Sequence, residues 1–251
     1  MTNSNISIIR LNPIARWRRQ IRNIISRYPK LYLPLARIRA LPYSVVTSST
    51  EIVIEGFPRC ANSFAEAAFR LPQPRPVRLA HHCHAAAQVI AAVRWHIPTL
   101  VLFRDPDEAV RSLLMHDPHN RSARDGYREY ENFYKSILPF RTGYVLASFQ
   151  CITQTFDIAI RKVNNRFGTH FIEFEHTDET VMQAFNMVDQ LTQNRINKSN
   201  AQYSPFLGKD HKRQREETKA IVRERLLKHE AIDARVKAQE VFETLCKSAD
   251  C

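Results

Sequence analysis

The segment IEGFPRCANSFAEAAF, residues 54–69, passes from a short apolar strand through a turn into a helical pattern. Apolar residues over 51–56 predict a buried strand, and the spacing over 62–71 predicts a helix. Gly56 ends the strand in a chain that has only five glycines, and Arg59 lies in the turn that follows. Because loop amides and the N-terminus of a helix attract negative charge, this junction indicates an anion-binding site.

The rest of the chain alternates between predicted strands and helices. We expect strands at 76–80, 99–103 and 170–176, and helices at 85–95, from about 107, at 127–138, 156–167, 178–192 and 216–247. Residues 144–149 fit either type. Such alternation predicts an α/β fold with a mostly parallel sheet between two layers of helices, three layers in all.

The net charge of +12 is concentrated in the first fifty residues, which contain nine Arg and Lys residues and no Asp or Glu. We therefore divide the chain into a basic amphipathic N-terminal extension, residues 1–50, and an α/β domain, residues 51–251. Apolar residues of the extension recur at helical spacing between arginines: Ile14, Trp17, Ile21, Ile24 and Ile25. This pattern predicts peripheral contact with an anionic membrane through residues 10–40. The alternative is a helix packed on the domain with its arginines in solvent.

Composition argues against several other classes of protein. No run of 18 uncharged apolar residues is present, so no transmembrane helix is expected, and the N-terminus lacks the pattern of a secretory signal. The five cysteines show no CxxC spacing, which favours free thiols in a reduced, cytoplasmic compartment and no zinc framework. Nucleic acid is not an expected partner, because basic residues interleaved with aromatics do not form a stripe outside the extension.

The loop after the first strand departs from the phosphate-loop pattern G-x-x-x-x-G-K-[ST]. Gly56 and Ser63 match, but Ala61 and Asn62 replace the second glycine and the lysine. The segment GFPRCANSF instead resembles the 5′-phosphosulfate loop of the sulfotransferases. These enzymes have a P-loop NTPase-like α/β architecture and use 3′-phosphoadenosine 5′-phosphosulfate (PAPS) as sulfuryl donor.

The resemblance implies that this loop and the helix start bind the 5′-phosphosulfate of PAPS, through Arg59, Cys60, Ala61, Asn62, Ser63 and Phe64. The family usually has Ser-Gly where this chain has Cys60-Ala61. Since alanine restricts the backbone, the loop must avoid a positive φ at Ala61 or accept strain.

A second segment, LVLFRDPDEAVRSLL at 100–114, resembles the family's 3′-phosphate motif. Arg104 directly follows the predicted strand, and Ser112 comes eight residues later on the second turn of a helix. The resemblance implies that both bind the 3′-phosphate of PAPS, which a guanidinium recognises through two parallel hydrogen bonds.

The candidate general base lies between the two motifs, in RLAHHCHAA at 78–86. His82 aligns with the histidine base of the family, and the resemblance implies that it takes the acceptor proton during an in-line displacement assisted by Arg59. Strand alternation predicts His82 and His84 on one face and His81 on the other. His84 is the reserve candidate.

Glu66, on the helix of the loop, is a rival base because some branches of the family use a glutamate. No metal is expected, since ligands adjacent in sequence seldom close a tetrahedron.

These observations predict a sulfotransferase acting on a hydroxyl or amine acceptor, which is a small molecule, a lipid or a carbohydrate. The alternatives are a P-loop kinase or other nucleotide-binding enzyme, and a non-catalytic membrane-associated binding protein on the same fold. Sulfotransferases also close a basic C-terminal segment over the nucleotide. The candidate for it here is residues 206–215, with Lys209, Lys212 and Arg213.

Overall fold

A computed structural model of the protein describes residues 13–39, 44–117, 121–199, 218–220, 222–226 and 229–251. Lys209, Lys212 and Arg213 lie outside the described residues. None of the helices within these ranges is long and apolar enough to cross a membrane.

The described elements alternate between strands and helices. The strands are β1 (Ile52–Gly56), β2 (Leu79–His81), β3 (Thr99–Phe103) and β4 (Val145–Ser148). The helices are α1 (Pro13–Ile25), α2 (Pro29–Arg39), α3 (Asn62–Arg70), α4 (Ala86–Arg94), α5 (Pro106–His116), α6 (Ala123–Ile137), α7 (Phe149–Gln154), α8 (Phe156–Phe167), α9 (Asp178–Ser199) and α10 (His229–Ser248). A 3-10 helix covers Leu138–Gly143, and residues 218–220 and 222–226 are helical.

The four strands form one parallel sheet in the order β2-β1-β3-β4. β1 pairs with β2 on one side and with β3 on the other, and β4 pairs with β3. The predicted α/β class with a parallel sheet is confirmed. Since parallel strands end at the same edge, the segments that follow β1, β2 and β3 meet there.

Helices cover both faces of the sheet. Ile52 and Ile54 of β1 pack into the larger apolar cluster, which includes residues of α3 and α8. Val53, whose side chain points to the opposite face, packs into a second cluster with Ala87 and Ala91 of α4.

Part of the N-terminal fifty residues belongs to this second cluster, through Tyr32, Leu33, Val45 and Val46. The side chains of these four residues are at most 7% exposed. Residues on both sides of position 50 therefore share a core. The division of the chain there stays a prediction from composition.

Gly56 is needed for the close approach of two strands. A Cβ atom at this position would lie 2.5 Å from the carbonyl oxygen of Leu102 on β3, well inside contact distance. The glycine therefore allows β1 and β3 to stay paired up to the point where the loop begins.

The predicted strand at 170–176 is wrong. The backbone of Ile172 bonds to the side chain of Gln73, which donates to its carbonyl at 2.9 Å and accepts from its amide at 3.2 Å. The rings of Phe171 and Phe174 pack on Phe69 and Phe64 of α3. The segment is apolar because its rings cover α3. Its alternation of apolar and polar residues therefore does not indicate a strand of the sheet.

The second predicted strand is shifted and shortened, since β2 covers Leu79–His81 rather than 76–80. His82 and His84 follow the strand and have positive φ values of 59° and 46°. Strand alternation therefore does not apply to the histidines, and the prediction that His81 faces away from His82 is wrong. Their rings are in contact, with centroids 4.9 Å apart.

The expectation that all five cysteines are free thiols is also wrong, because Cys151 and Cys251 form a disulfide. Residues 250 and 251 lie along the outer edge of β4, where Ser148 N donates to Cys251 O (2.8 Å) and Asp250 N donates to Leu146 O (2.9 Å). This pairing brings together two cysteines that are 100 residues apart. Sequence spacing alone does not reveal it.

Candidate functional site

The loop between β1 and α3 has a strained backbone. Arg59 and Ala61 have φ values of 72° and 66°, so the loop accepts the strain at Ala61 instead of avoiding it. A non-glycine residue in this region costs of order 1–3 kcal/mol, and such residues are concentrated at functional sites. Ala61 is also the N-cap of α3, where no side chain caps the helix. The loop thus leads directly into uncapped amides at the positive end of a helix dipole.

Three of the predicted loop residues use their side chains to hold the loop. Asn62 Nδ2 donates to the Phe57 carbonyl (2.9 Å) and closes the turn. The fully buried Cys60 Sγ lies 3.6 Å from Tyr134 Oη, and burial raises the pKa of Cys60 to about 12. Phe64 packs its ring against Phe174. Among these residues, only the backbone amides are suited to bind an anion.

The two predicted anion motifs meet in space. Nε of Arg59 donates to Oγ of Ser112 over 3.0 Å, and Nη1 of Arg104 donates to the Arg59 carbonyl over 3.3 Å. Arg104 is further fixed by an ion pair with Glu108 (3.2 Å) and by stacking 4.1 Å from the centre of the Phe149 ring. The residues from the β1 loop and from the end of β3 therefore belong to one site.

Three tyrosines of α6 form hydrogen bonds with the segments that carry this site. Tyr130 Oη donates to the Arg104 carbonyl (2.8 Å), and Tyr127 Oη donates to Asp107 at the start of α5 (2.7 Å). Tyr134 Oη donates to the Leu102 carbonyl (2.7 Å) and accepts from the Phe57 amide (3.3 Å). The tyrosines are three and four residues apart, so they lie on one face of the helix. The sequence pattern identified them only as an apolar helical stripe.

A cavity of about 1060 Å³ opens beside these residues, which is large enough for a nucleotide. Its lining contains six basic and two acidic side chains, so its charge favours an anion. The basic residues are Arg59, Arg104, Arg111, Lys219, Arg223 and Arg235, and the acidic residues are Asp107 and Glu108. Ser112 and His116 also line it. Burial and the nearby Arg59 lower the pKa of His116, which keeps this ring neutral near pH 7.

Sequence reasoning missed four of these six cations, Arg111 on α5 and three from late in the chain. Lys219, Arg223 and Arg235 come from helical segments late in the chain, where the prediction named residues 206–215 instead. Arg235 pairs with Asp107 through Nε at 2.8 Å. Burial opposes ionisation of Asp107, but hydrogen bonds from Arg235 and Tyr127 outweigh it and lower the pKa of this carboxyl. In the sequence, nothing in the spacing of Lys219, Arg223 and Arg235 distinguished these residues from solvated ones on a polar helix.

A second group of polar side chains lies where β2 ends beside α3. Ser63 Oγ is 3.1 Å from His82 Nε2, and His82 Nδ1 is 2.7 Å from His81 Nδ1. His81 Nε2 is 3.2 Å from Glu66 Oε1, and Arg70 Nε donates to the same oxygen over 3.1 Å. Glu66 is 1% exposed, so it does not reach solvent.

One set of tautomers satisfies all of these contacts if both rings are neutral. Ser63 donates to Nε2 of His82, whose Nδ1–H donates to His81, whose Nε2–H donates to Glu66. Under this assignment Nε2 of His82 holds a lone pair facing the β1 loop, as a general base requires. His82 Nδ1 is also 3.5 Å from Glu66 Oε2, so the positive charge that the ring acquires when Nε2 takes a proton would lie close to a carboxylate.

Glu66, His81 and His82 also form a possible metal-binding group, since one ligand atom of each lies within 4.8 Å of the others. The guanidinium of Arg70 already pairs with Glu66, and its Nη2 lies 3.4 Å from His81 Nε2. A second cation would be placed close to this charge, and the chain of hydrogen bonds through the two rings would have to break. The arrangement therefore fits proton transfer better than metal binding.

His84, the reserve base, has a different environment. Its Nδ1–H donates to the Gly56 carbonyl (2.8 Å), and its amide donates to the buried Glu55 (3.1 Å). Glu55 also accepts from Cys83 N (2.9 Å) and Gln88 Nε2 (2.8 Å). Burial raises the pKa of Glu55 to about 7 against these donors. Glu55 and His84 thus fix the histidine segment to the end of β1.

No protein-family model matches this chain, and a search of curated proteins finds no significant match.

Proposed function

We propose that the protein is a PAPS-dependent sulfotransferase with a P-loop NTPase-like architecture, which transfers a sulfuryl group to a hydroxyl or amine acceptor. The observation that carries the proposal is the hydrogen bond between Arg59 and Ser112. It joins the segment that resembles a 5′-phosphosulfate loop to the segment that resembles a 3′-phosphate motif. These two segments together would bind a donor whose ribose carries a phosphate at the 3′ position and another at the 5′ position.

The basic cavity supports the nucleotide part of the proposal. Arg104 and Ser112 would bind the 3′-phosphate, while Arg59 and the amides from Ala61 to Phe64 would hold the 5′-phosphosulfate. The helix N-terminus adds attraction for the charge that grows on the leaving phosphate. The supporting tyrosines of α6 keep these donors in place before the ligand binds, which lowers the entropy cost of binding.

The hydrogen-bonded histidines support the transfer step. His82 Nε2 would take the proton of the acceptor hydroxyl while its oxygen attacks the sulfur. The bond between sulfur and the 5′-phosphate oxygen breaks, and its electron pair leaves with adenosine 3′,5′-bisphosphate. His81 and Glu66 would hold the ring of His82 in the required tautomer and stabilise the proton that it gains. Glu66 is then a partner of the base and not a second base.

The cytoplasmic location stays a prediction. The disulfide between Cys151 and Cys251 removes the argument from free thiols, and the absence of a spanning helix among the described residues does not identify a compartment.

The test is sulfuryl transfer from PAPS labelled with radioactive sulfur to a panel of phenols, sterols, glycolipids and oligosaccharides. Labelled product with at least one acceptor class is expected for the natural chain. ATP labelled at the γ-phosphate serves as the second donor, and transfer from it alone would instead identify a kinase. No transfer from either donor, with no binding of adenosine 3′,5′-bisphosphate, would leave the non-catalytic alternative.

A further inference from the structure

Arginine side chains of the N-terminal helix α1 contact the domain. Arg22 Nη2 donates to the Cys83 carbonyl (2.7 Å), and Arg19 Nη2 pairs with Asp117 at 3.0 Å. The Ser26 carbonyl, just beyond α1, accepts from the Ala87 amide at the start of α4 (2.7 Å). These contacts pack α1 on the domain, with polar bonds from Arg19 and Arg22.

Of the predicted apolar side of α1, Ile25 packs against the second cluster and the other four residues are exposed, and a similar pattern continues into α2. Eight large side chains follow one another at alternating steps of three and four residues, with exposed fractions from 39% to 83%. We call them the exposed stripe: Ile14, Trp17, Ile21, Ile24, Tyr28, Leu31, Leu35 and Ile38. Single exposed apolar residues are common, but a regular series of eight marks a surface that binds something.

We propose that the exposed stripe docks on an anionic membrane surface. Amphipathic helices with a Trp on the apolar side and cations at its border bind in the interfacial region of a bilayer. Arg18 follows Ile14 by four residues and precedes Ile21 by three, so it borders the stripe on the helix surface. Arg18 and Lys30 are both exposed.

Charge favours the membrane over a second copy of the chain. Alternating steps of three and four residues also suit a coiled coil, but coiled-coil partners use opposite charges beside the seam. The first fifty residues contain nine cations and no acid, so two stripes facing each other would bring like charges together. An anionic lipid surface supplies the missing negative charge, at about 1 kcal/mol, or fivefold in affinity, per Lys or Arg.

The docking surface lies next to the candidate site. Arg22 of α1 and Tyr32 of α2 both donate to the carbonyl of Cys83, which directly follows His82. A bilayer bound to the exposed stripe would therefore lie against the two helices that contact Cys83, the residue after the candidate base. Docking itself does not depend on the proposed function.

The test is sedimentation of the full chain, without nucleotide, with vesicles of phosphatidylcholine alone and of phosphatidylcholine mixed with phosphatidylserine. Binding to the mixed vesicles is expected to be strong at low salt and to weaken as salt rises. Trp17→Gln with Ile24→Gln should lower the partition coefficient by more than about tenfold. Trp95→Gln with Ile172→Gln is the matched control, because these residues are exposed to similar extents but lie outside the stripe.

Arg18→Gln with Lys30→Gln should weaken binding to the mixed vesicles only, by about fivefold per cation. All variants alter exposed side chains, and circular dichroism checks that each is folded. Equal binding of the stripe variant and its control would overturn the proposal. So would failure of the natural chain to sediment, and a concentration-dependent dimer abolished by the stripe substitutions would then identify a second copy as the partner.

Discussion

Oγ of Ser63 lies 3.1 Å from Nε2 of His82. The contact joins the first turn of α3 to the turn that follows β2, two segments that are adjacent because β1 and β2 are parallel neighbours. His81 and Glu66 lie next to Nδ1, the other nitrogen of the His82 ring. His82 is therefore held with one nitrogen towards the β1 loop and the other towards a buried carboxylate.

His82→Ala should lower turnover by about 10²- to 10⁴-fold, the usual cost of losing a general base. Affinity for adenosine 3′,5′-bisphosphate should stay nearly unchanged, because His82 does not line the basic cavity. Steady-state kinetics and calorimetry on the same samples separate the two effects.

His170→Ala is the control for this variant, since His170 is exposed and lies outside the candidate site. Ser63→Ala removes the contact to His82 without removing the base, so it should cost less than His82→Ala. A larger effect of His84→Ala or Glu66→Ala than of His82→Ala would show that the base is assigned to the wrong residue.

Removal of metal ions should leave activity unchanged. Arg70 pairs with Glu66 at 3.1 Å and supplies the positive charge that a metal would bring to this group. The measurement is sulfuryl transfer before and after dialysis against a chelator, with metal content determined on the same sample. Activity that falls on chelation and returns with zinc would show that Glu66, His81 and His82 bind a metal.

The sequence predicted the parts of the fold that depend on local pattern. The β1 loop, β3 with Arg104 and α5, and α8 with its stop at Gly168 all follow from residues close together in the chain. The family resemblance implied that Arg59 and Ser112 bind the same ligand, but it did not predict the direct contact between them.

Features that depend on long-range packing could not be predicted. The Cys151–Cys251 bridge requires residues 250 and 251 to pair with β4. The chain through His81 requires β2 to end early and the backbone at His82 to adopt a positive φ, which a non-glycine residue rarely does. Lys219 and Arg223 reach the cavity only because of how the late helices pack.

Stability should fall as pH rises through neutrality because of Glu55. Burial raises its pKa from 4.5 to about 7, so the folded state holds a proton that the unfolded state releases. The contribution of Glu55 is complete below about pH 4.5 and is lost as pH rises through about 7, a change of about 3 kcal/mol in the free energy of unfolding. Urea unfolding at several values between about pH 5 and 8 measures it.

Glu55→Gln should remove this part of the slope. Glu51→Gln is the matched control: hydrogen bonds from Arg75 lower the pKa of Glu51, so its contribution changes only at more acidic pH. If the natural chain and Glu55→Gln lose stability equally across this range, Glu55 is ionised in the folded state throughout.

The central claim is that the basic cavity recognises a 3′-phosphate on a nucleotide, and isothermal titration calorimetry tests it without knowledge of the acceptor. The natural chain should bind adenosine 3′,5′-bisphosphate more tightly than AMP. Losing a charge-assisted hydrogen bond costs about 1.5–3 kcal/mol, so Arg104→Ala should weaken bisphosphate binding by about ten- to a hundredfold and leave AMP binding unchanged. Arg161→Ala, which removes an exposed arginine paired with Glu173, should change neither affinity. Equal affinity of the natural chain for AMP and the bisphosphate would contradict the account.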